Sequence, residues 1–205
     1  WRGPILTDSG GYQLFSLANR VKISEKGAVF RSHIDGAPFV LTPEEAVRIQ
    51  SDLGVDIAMA FDVLTAAGSD RDSAAAAAER TLRWAWRTRR SAEGRSPAFF
   101  GIMQGGLFDD LRRANAEALT GLDFDGYAVG GLSVGEERDE TMRVAQLSAA
   151  LLPSSKIRYM MGMGTPLDLI RLVGWGYDLF ACVIPTRNGR NGTLFTRRGS
   201  LMIRN

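Results

Sequence analysis

Cysteine and histidine are almost missing from the sequence: Cys182 and His33 are the only examples in 205 residues. One thiol forms no internal disulfide framework and supplies no four-thiolate metal site, which fits a reducing compartment. An excess of charge is missing too. Lys and Arg number 25 against 23 for Asp and Glu, so the overall charge gives no pull toward a polyanion, and any nucleic-acid contact must come from local clustering. No apolar run approaches the roughly 20 residues that span a bilayer, and the start lacks a charged n-region followed by an apolar h-region. A soluble, cytoplasmic protein with no membrane partner is expected. An initial methionine is also absent: the chain opens Trp1-Arg2-Gly3-Pro4 and stops at Asn205 directly after a strand-like run, which reads as a fragment.

What is present is a core-forming composition, with 45% apolar residues, enough for one large domain or part of one. Short β-rich runs alternate with stretches of helical period, the pattern of strand-crossover-strand units in a parallel sheet. Strands are expected over 5–7, 57–61, 99–103, 127–129, 158–161 and 179–184. Thr42-Pro43-Glu44-Glu45 supplies an N-cap, a proline at the first helical position and a capping-box acid, and predicts a helix to about Ser51. Thr165-Pro166-Leu167-Asp168 repeats that logic ahead of Leu169, Ile170, Leu172 and Val173. Helices are also expected over 72–90, over 109–119 with Leu111, Ala114, Ala118 and Leu119 on one face, and over 139–151. One stretch breaks the rhythm. Residues 13–41 alternate through Val21, Ile23, Val29 and Ile34, with turn dipeptides Lys26-Gly27 and Asp35-Gly36, and read as a small antiparallel insertion.

Polar and glycine residues sit at the carboxyl end of nearly every expected strand: Asp8-Ser9-Gly10-Gly11, Asp62, Gln104-Gly105-Gly106, Gly130-Gly131, Gly162-Met163-Gly164 and Pro185-Thr186-Arg187. An open doubly wound sheet offers a ligand only its switch point. A barrel gathers all its strand ends around one axis. The expected fold is therefore α/β, a (β/α)8 TIM barrel that is incomplete, with about six of the eight strand-helix units. The whole chain reads as one catalytic barrel domain truncated at both ends.

Two carboxylates, an amide, close-approach glycines and arginines suit a polar planar ligand. Guanine presents N1-H and N2-H donors beside the O6 acceptor, so a site for it needs a carboxylate for the donors and an amide or backbone N-H for O6. Asp62 and Gln104 are the right types, and Gly130-Gly131 lets backbone approach a ring edge. Taken singly, each has a plainer reading. Asp8 can close a turn, Asp62 can cap a helix, and Gln104 can be a surface amide. Gly162-Met163-Gly164 can be a tight connection or a phosphate cradle, the latter pointing to a phosphosugar enzyme. His33 and Cys182 read as strand packing residues, and Trp84 and Trp86 as core. From Arg187 to Asn205 there are five arginines and no acid. That segment reads as a donor-rich loop suited to phosphate and single-stranded RNA, or as a solvated rim. The arginines around Arg83, Arg87, Arg89 and Arg90 read as a solvated face.

The motifs TDSGGYQ (7–13), MAFD (59–62), GIMQGG (101–106), GYAVGGLSVGE (126–136), MGMGTP (161–166) and IPTRNGRNG (184–192) resemble the tRNA-guanine transglycosylases, in the family's order along the whole chain. The resemblance implies a barrel enzyme of queuosine biosynthesis. Such an enzyme exchanges guanine at the first anticodon position of tRNAs with GUN anticodons for a 7-deazaguanine (preQ1), and it takes the base out of its stack. It implies Asp8 as general acid/base, with Asp62, Gln104 and Gly131 on the base edge, beside Ser9, Gly10 and Gly11. Leu132 would offer a carbonyl to the aminomethyl group, and Tyr12 and Met161 would sandwich the ring. RNA would be gripped by Gly162, Met163, Gly164, Thr165, Pro166, Leu167 and Asp168, and by Thr186, Arg187, Asn188, Gly189 and Arg190.

The chain departs from the family pattern in three places. Ala181 stands where the family has the nucleophilic aspartate that forms a glycosyl-enzyme intermediate, so the chain as given is expected to be inactive. Val63 replaces a common glutamate. The cysteine and histidine ligands of the family's structural Zn²⁺ are expected beyond Asn205, leaving no metal or cofactor site in this chain. The resemblance further implies a homodimer when complete. Two alternatives stand beside it: a non-catalytic tRNA-binding subunit, and Asp8 itself as nucleophile.

Overall fold

A computed structural model describes residues 1–32 and 34–203. His33, Arg204 and Asn205 lie outside the described residues, and with them the reading of His33 as a packing residue. The chain starts with β1 (Leu6–Thr7), a short helix α1 (Gly11–Ser16) and a meander of β2 (Lys22–Ile23), β3 (Ala28–Arg31) and β4 (Pro38–Leu41), followed by α2 (Pro43–Asp52). Strand-helix units follow: β5 (Ile57–Met59) and α3 (Arg71–Ser91), β6 (Ala98–Met103) and α4 (Asp109–Thr120), β7 (Gly126–Val129) and α5 (Arg138–Leu151). Then come β8 (Ile157–Met161) and α6 (Pro166–Gly174), β9 (Leu179–Ala181) and α7 (Ile184–Asn191), and a hairpin of β10 (Thr193–Thr196) and β11 (Gly199–Met202).

The six strands expected from the sequence form one sheet in the order β1-β5-β6-β7-β8-β9, and every neighbouring pair is parallel. The sheet curls into a half-barrel, an incomplete TIM barrel. Two-residue alternation along each strand divides its side chains between two faces. Met59, Phe100, Ile102, Ala128 and Tyr159 line the inner face together with Leu6, Met161, Leu179 and Ala181. Ala58, Phe99, Met103, Tyr127, Val129 and Met160 face the helices, where Ala85, Leu119, Val144, Ala145 and Leu172 complete the main core. Since all strands run the same way, all their carboxyl ends emerge on one side.

Capping places the helix starts. Thr42 accepts from the Glu45 N–H at 3.2 Å with Pro43 in the first turn, and Thr165 and Asp168 form a complete capping box ahead of α6. The structure corrects the sequence reading at four points. Residues 13–20 are not part of the meander, because Gly10 takes a left-handed φ of 95° and opens α1, which a 3₁₀ turn over Ala18–Arg20 continues. The buried face of α4 is Arg112, Asn115, Ala116 and Leu119 rather than Leu111, Ala114 and Ala118, because the loops beneath it present backbone groups that need polar partners. Trp84 is fully buried while Trp86 is 49% exposed and stacks under Arg90. Two residues of spacing turn a helix by about 200°, so only one of the pair can face the core. Finally, 184–191 is helical rather than the end of a strand and a loop, with Pro185 pre-setting the first turn.

The insertion has a small core of its own, in which Leu14, Ala28, Ala46, Phe61, Val63, Ala77 and Trp84 pack together. Phe61 stacks on Trp84 with ring centroids 4.7 Å apart. Arginines of α3 clamp it from outside: Arg83 pairs with Glu25 at 2.8 Å and Arg87 with Glu44 at 2.7 Å. Part of the arginine-rich face therefore fastens the insertion rather than merely meeting water.

Candidate active site

The strand ends converge as the topology requires, and the tightest group forms where β5, β6 and β7 end. Asp62 and Gln104 are buried, 4% and 2% exposed, and Gln104 Nε2 donates to Asp62 Oδ2 at 2.8 Å. Asp62 caps no helix, since the next one begins at Arg71 with Asp70 as its cap. The plain reading of Gln104 as a surface amide is also excluded. Ser9 Oγ reaches Asp62 Oδ1 at 3.4 Å and accepts from the Gly11 N–H at 3.3 Å, so the turn after β1 is closed by Ser9. Gly11 lies so close that a Cβ there would overlap the Asp62 carboxylate. On the far side, Gly131, at φ 68°, lies against the Gln104 amide oxygen, and any side chain would displace it.

Burial is the main cause that lifts the Asp62 pKa to about 6, against the lowering effect of the Gln104 and Ser9 hydrogen bonds, with a further push from the charge of Asp8. Asp8 stands exposed on the rim, although the protein atoms on one side of its carboxyl still raise its pKa by desolvation. Its charge also acts on Tyr159, a buried inner-face phenol whose pKa rises chiefly through burial. The two carboxylates therefore feel one another across one mouth. Tyr12, on the first turn of α1, is 58% exposed, and Met161 is on the inner face of β8.

Queuine tRNA-ribosyltransferase is the description of the family model that this chain matches over residues 1–205. The chain belongs to that family. It is 50% identical over 205 residues to the queuine tRNA-ribosyltransferase of Halothermothrix orenii and 52% identical over 205 residues to that of Pelotomaculum thermopropionicum, covering 100% of this chain and 55% of each relative. The Zymomonas mobilis protein of the same name is 49% identical over 210 residues, covering 100% of this chain and 54% of that relative. The chain thus spans about half the length of the curated relatives it matches.

The remaining family motifs occupy the neighbouring strand ends. Ala181 closes β9 with its side chain on the inner face, and its carbonyl accepts from the Gly162 N–H at 2.8 Å. Leu132 is buried, with its carbonyl 3.6 Å from where a Cβ on Gly162 would stand. Met163 is buried and Gly164 is pressed against Cys182, which favours the tight-connection reading of that segment. Thr165 is an N-cap, Pro166, Leu167 and Asp168 are the first turn of α6, and only Leu167 of these is a large exposed hydrophobic, at 51%. The Asp168 carboxylate is taken up by the Thr165 N–H and by an ion pair with Arg138. Thr186, Arg187, Asn188, Gly189 and Arg190 all lie on α7, which has no buried residue.

Three side chains that carry the site were not singled out from the sequence. Asn115 Oδ1 accepts from the Gln104 N–H at 3.0 Å. Arg112 holds the carbonyls of Gly106 and Gly130, each at 2.9 Å. Glu136 accepts from the Ser133 and Val134 N–H groups at 2.5 and 2.9 Å and from Thr141 at 2.8 Å. Burial pushes the Glu136 pKa up, but these bonds outweigh it and hold the carboxyl below its usual range. The available signal was the broken apolar stripe of α4, where polar residues fall on the helical period of the core face.

A cavity of about 240 Å³ opens beside this group, lined by Thr65, Ala67, Gly106, Phe108, Gly131 and Glu136. It stops short of Asp62 and Gln104, whose mutual hydrogen bond fills the space between them. Among the described residues no group of three or more His, Cys, Asp or Glu stands together to hold a metal ion.

Proposed function

We propose that the mouth of this half-barrel binds a guanine or 7-deazaguanine base taken from the first anticodon position of tRNA, as part of the base exchange of tRNA-guanine transglycosylases. The observation that carries the reading is the buried Asp62–Gln104 pair beside bare backbone at Gly131. Asp62 accepts from N1-H and N2-H of the base, the Gln104 amide and the Gly131 N–H donate to O6, and the Leu132 carbonyl accepts from the aminomethyl group of preQ1. Tyr12 and Met161 cover the ring faces. Asp62 must be ionised for this role, and with a pKa of about 6 it is mostly ionised at neutral pH.

Asp8, on the rim and in electrostatic contact with Asp62, moves the proton to and from the exchanging base. The ribose carbon would meet the inner face of β9, where Ala181 stands. A methyl group neither attacks that carbon nor stabilises a developing oxocarbenium ion, so double displacement lacks its covalent step in this chain. Arg187 and Arg190, on the exposed face of α7, grip RNA phosphates, and the complete protein works as a cytoplasmic homodimer whose zinc ligands follow Asn205. The test is calorimetry with guanine together with a labelled-guanine exchange assay on tRNA. Base binding without exchange is expected, and efficient exchange with Ala181 in place would sink the proposal. tRNA binding without any base binding would favour a non-catalytic RNA-binding subunit.

A further inference from the structure

Arg112 has no solvent exposure at all, and the exchange reaction as described makes no use of it. It rises from the first turns of α4, where a positive charge meets the unfavourable end of the helix dipole. Among the described residues it has no ion-pair partner. Its partners are three backbone carbonyls: Nε donates to Gly106 at 2.9 Å, Nη1 to Met103 at 3.4 Å and Nη2 to Gly130 at 2.9 Å. Burial draws its pKa down to about 10, so it remains charged at neutral pH. An unpaired buried charge is a poor way to hold a helix on a sheet, because its desolvation is expensive and apolar side chains of similar length pack there at less cost. The carbonyls that it grips belong to the last residue of β6 and to the two loops carrying Gln104 and Gly131.

The Gly130 carbonyl and the Gly131 N–H belong to one planar peptide, and no peptide among the described residues is cis. The two groups therefore point in opposite directions. Arg112 holds the carbonyl from the side of α4, so the N–H is turned away from α4, where Gly131 lies against the Gln104 amide. Among the described residues nothing accepts from the Gly131 N–H. A cation on the carbonyl also polarises the peptide and strengthens the N–H as a donor. We propose that Arg112 is a positioning residue that fixes the direction and donor strength of the Gly131 N–H toward the O6 oxygen of a bound guanine. The proposal rests on the base-pocket reading above.

The test pairs one side chain with one ligand atom. Guanine and 6-thioguanine share N1-H and the 2-amino group, but sulfur is the poorer acceptor at position 6. Calorimetric affinities of both bases would be measured for the intact chain and for Arg112→Lys and Arg112→Met, with thermal melts to confirm folding. The unchanged chain should prefer guanine by about 10-fold, the worth of one well-placed hydrogen bond. In the variants that preference should shrink to about two-fold, with most of the loss on guanine. Lys retains a single ammonium and is the variant that keeps the test open if Met fails to fold. A folded variant that keeps the full preference, or that loses both bases equally, overturns the proposal and leaves Arg112 a structural staple. So does an unchanged chain that binds both bases equally. Failure of the unchanged chain to bind either base removes the base-pocket reading itself.

Discussion

The ends of β5, β6 and β7 and the ends of β8 and β9 open on the same side of the sheet, yet they are built in opposite ways. At the first, the buried polar side chains are partnered inside the protein, Asp62 with Gln104 and Ser9, the Gln104 backbone with Asn115, and the Gly130 carbonyl with Arg112, which leaves the Gly131 N–H unclaimed among the described residues. At the second, Ala181 is half-buried and α7 offers arginines that nothing covers. Recognition of a planar base demands donors and acceptors fixed in advance, and burial fixes them. Holding a polyanionic chain demands reach and charge, which an exposed helix provides at little structural expense.

The comparison breaks most sharply at β9. Ala181→Asp places a carboxylate on the inner face, and base exchange should rise by about 10⁴-fold, as measured by incorporation of labelled guanine into tRNA. A covalent RNA adduct should be trapped in the same variant. Asp8→Asn added to it should lower turnover. The parent, with Ala181 in place, should trap no adduct; a parent adduct that vanished in Asp8→Asn would instead make Asp8 the nucleophile.

Next in size is Asp62→Asn, which removes a charged acceptor from the buried side. Guanine affinity should fall about 100-fold by calorimetry, from loss of charge-assisted bonds and of correct donor-acceptor polarity. Stability should move the other way. The folded-state pKa lies near 6, above the ordinary 3.8, so the folded protein holds this proton more tightly than the unfolded chain. The resulting stability is present below about pH 4 and is lost as pH rises through about 6, leaving a penalty of about 3 kcal/mol at neutral pH. Thermal melts should show the Asn variant gaining on the parent between those pH values, and a flat difference would contradict the shift. Guanine affinity of the parent should decline as pH falls through 6.

A smaller effect is expected on the exposed side. Arg187→Ala and Arg190→Ala should each weaken tRNA binding several-fold and reduce the salt slope by about 1, with guanine affinity unchanged. The least is expected outside both regions. Arg87→Ala removes a partly exposed pair with Glu44, and denaturant titration should show a loss of about 1 kcal/mol.

All six sheet strands, the helix starts at Thr42 and Thr165, and the convergence of Asp8, Asp62, Gln104 and Gly131 were legible because each leaves a local mark: two-residue alternation, a capping sequence, or a polar residue ending an apolar run. Arg112 and Asn115 left only the mark of polar breaks in the apolar stripe of α4, because the backbone groups they serve lie in other segments, and Glu136 was missed although it serves the N–H groups of its own turn at Ser133 and Val134. The helical form of 184–191 was missed for a related reason. Asn188, Gly189, Asn191 and Gly192 have turn chemistry, and the segment was read from them alone. Leu111, Ala114 and Ala118 misled because an apolar face was assumed where the loops beneath needed hydrogen-bond partners.

Phe61 and Val63 flank Asp62 and both enter the small core beneath the insertion, one stacked on Trp84 and the other tied through its backbone to the Thr81 hydroxyl at 2.9 and 3.2 Å. An acid held between two such anchors has little freedom to swing toward a ligand of another shape. On the proposed base-pocket reading, widening the repertoire of bases would then require remodelling the packing under the β-meander, and selectivity would be inherited from hydrocarbon as much as from hydrogen bonds.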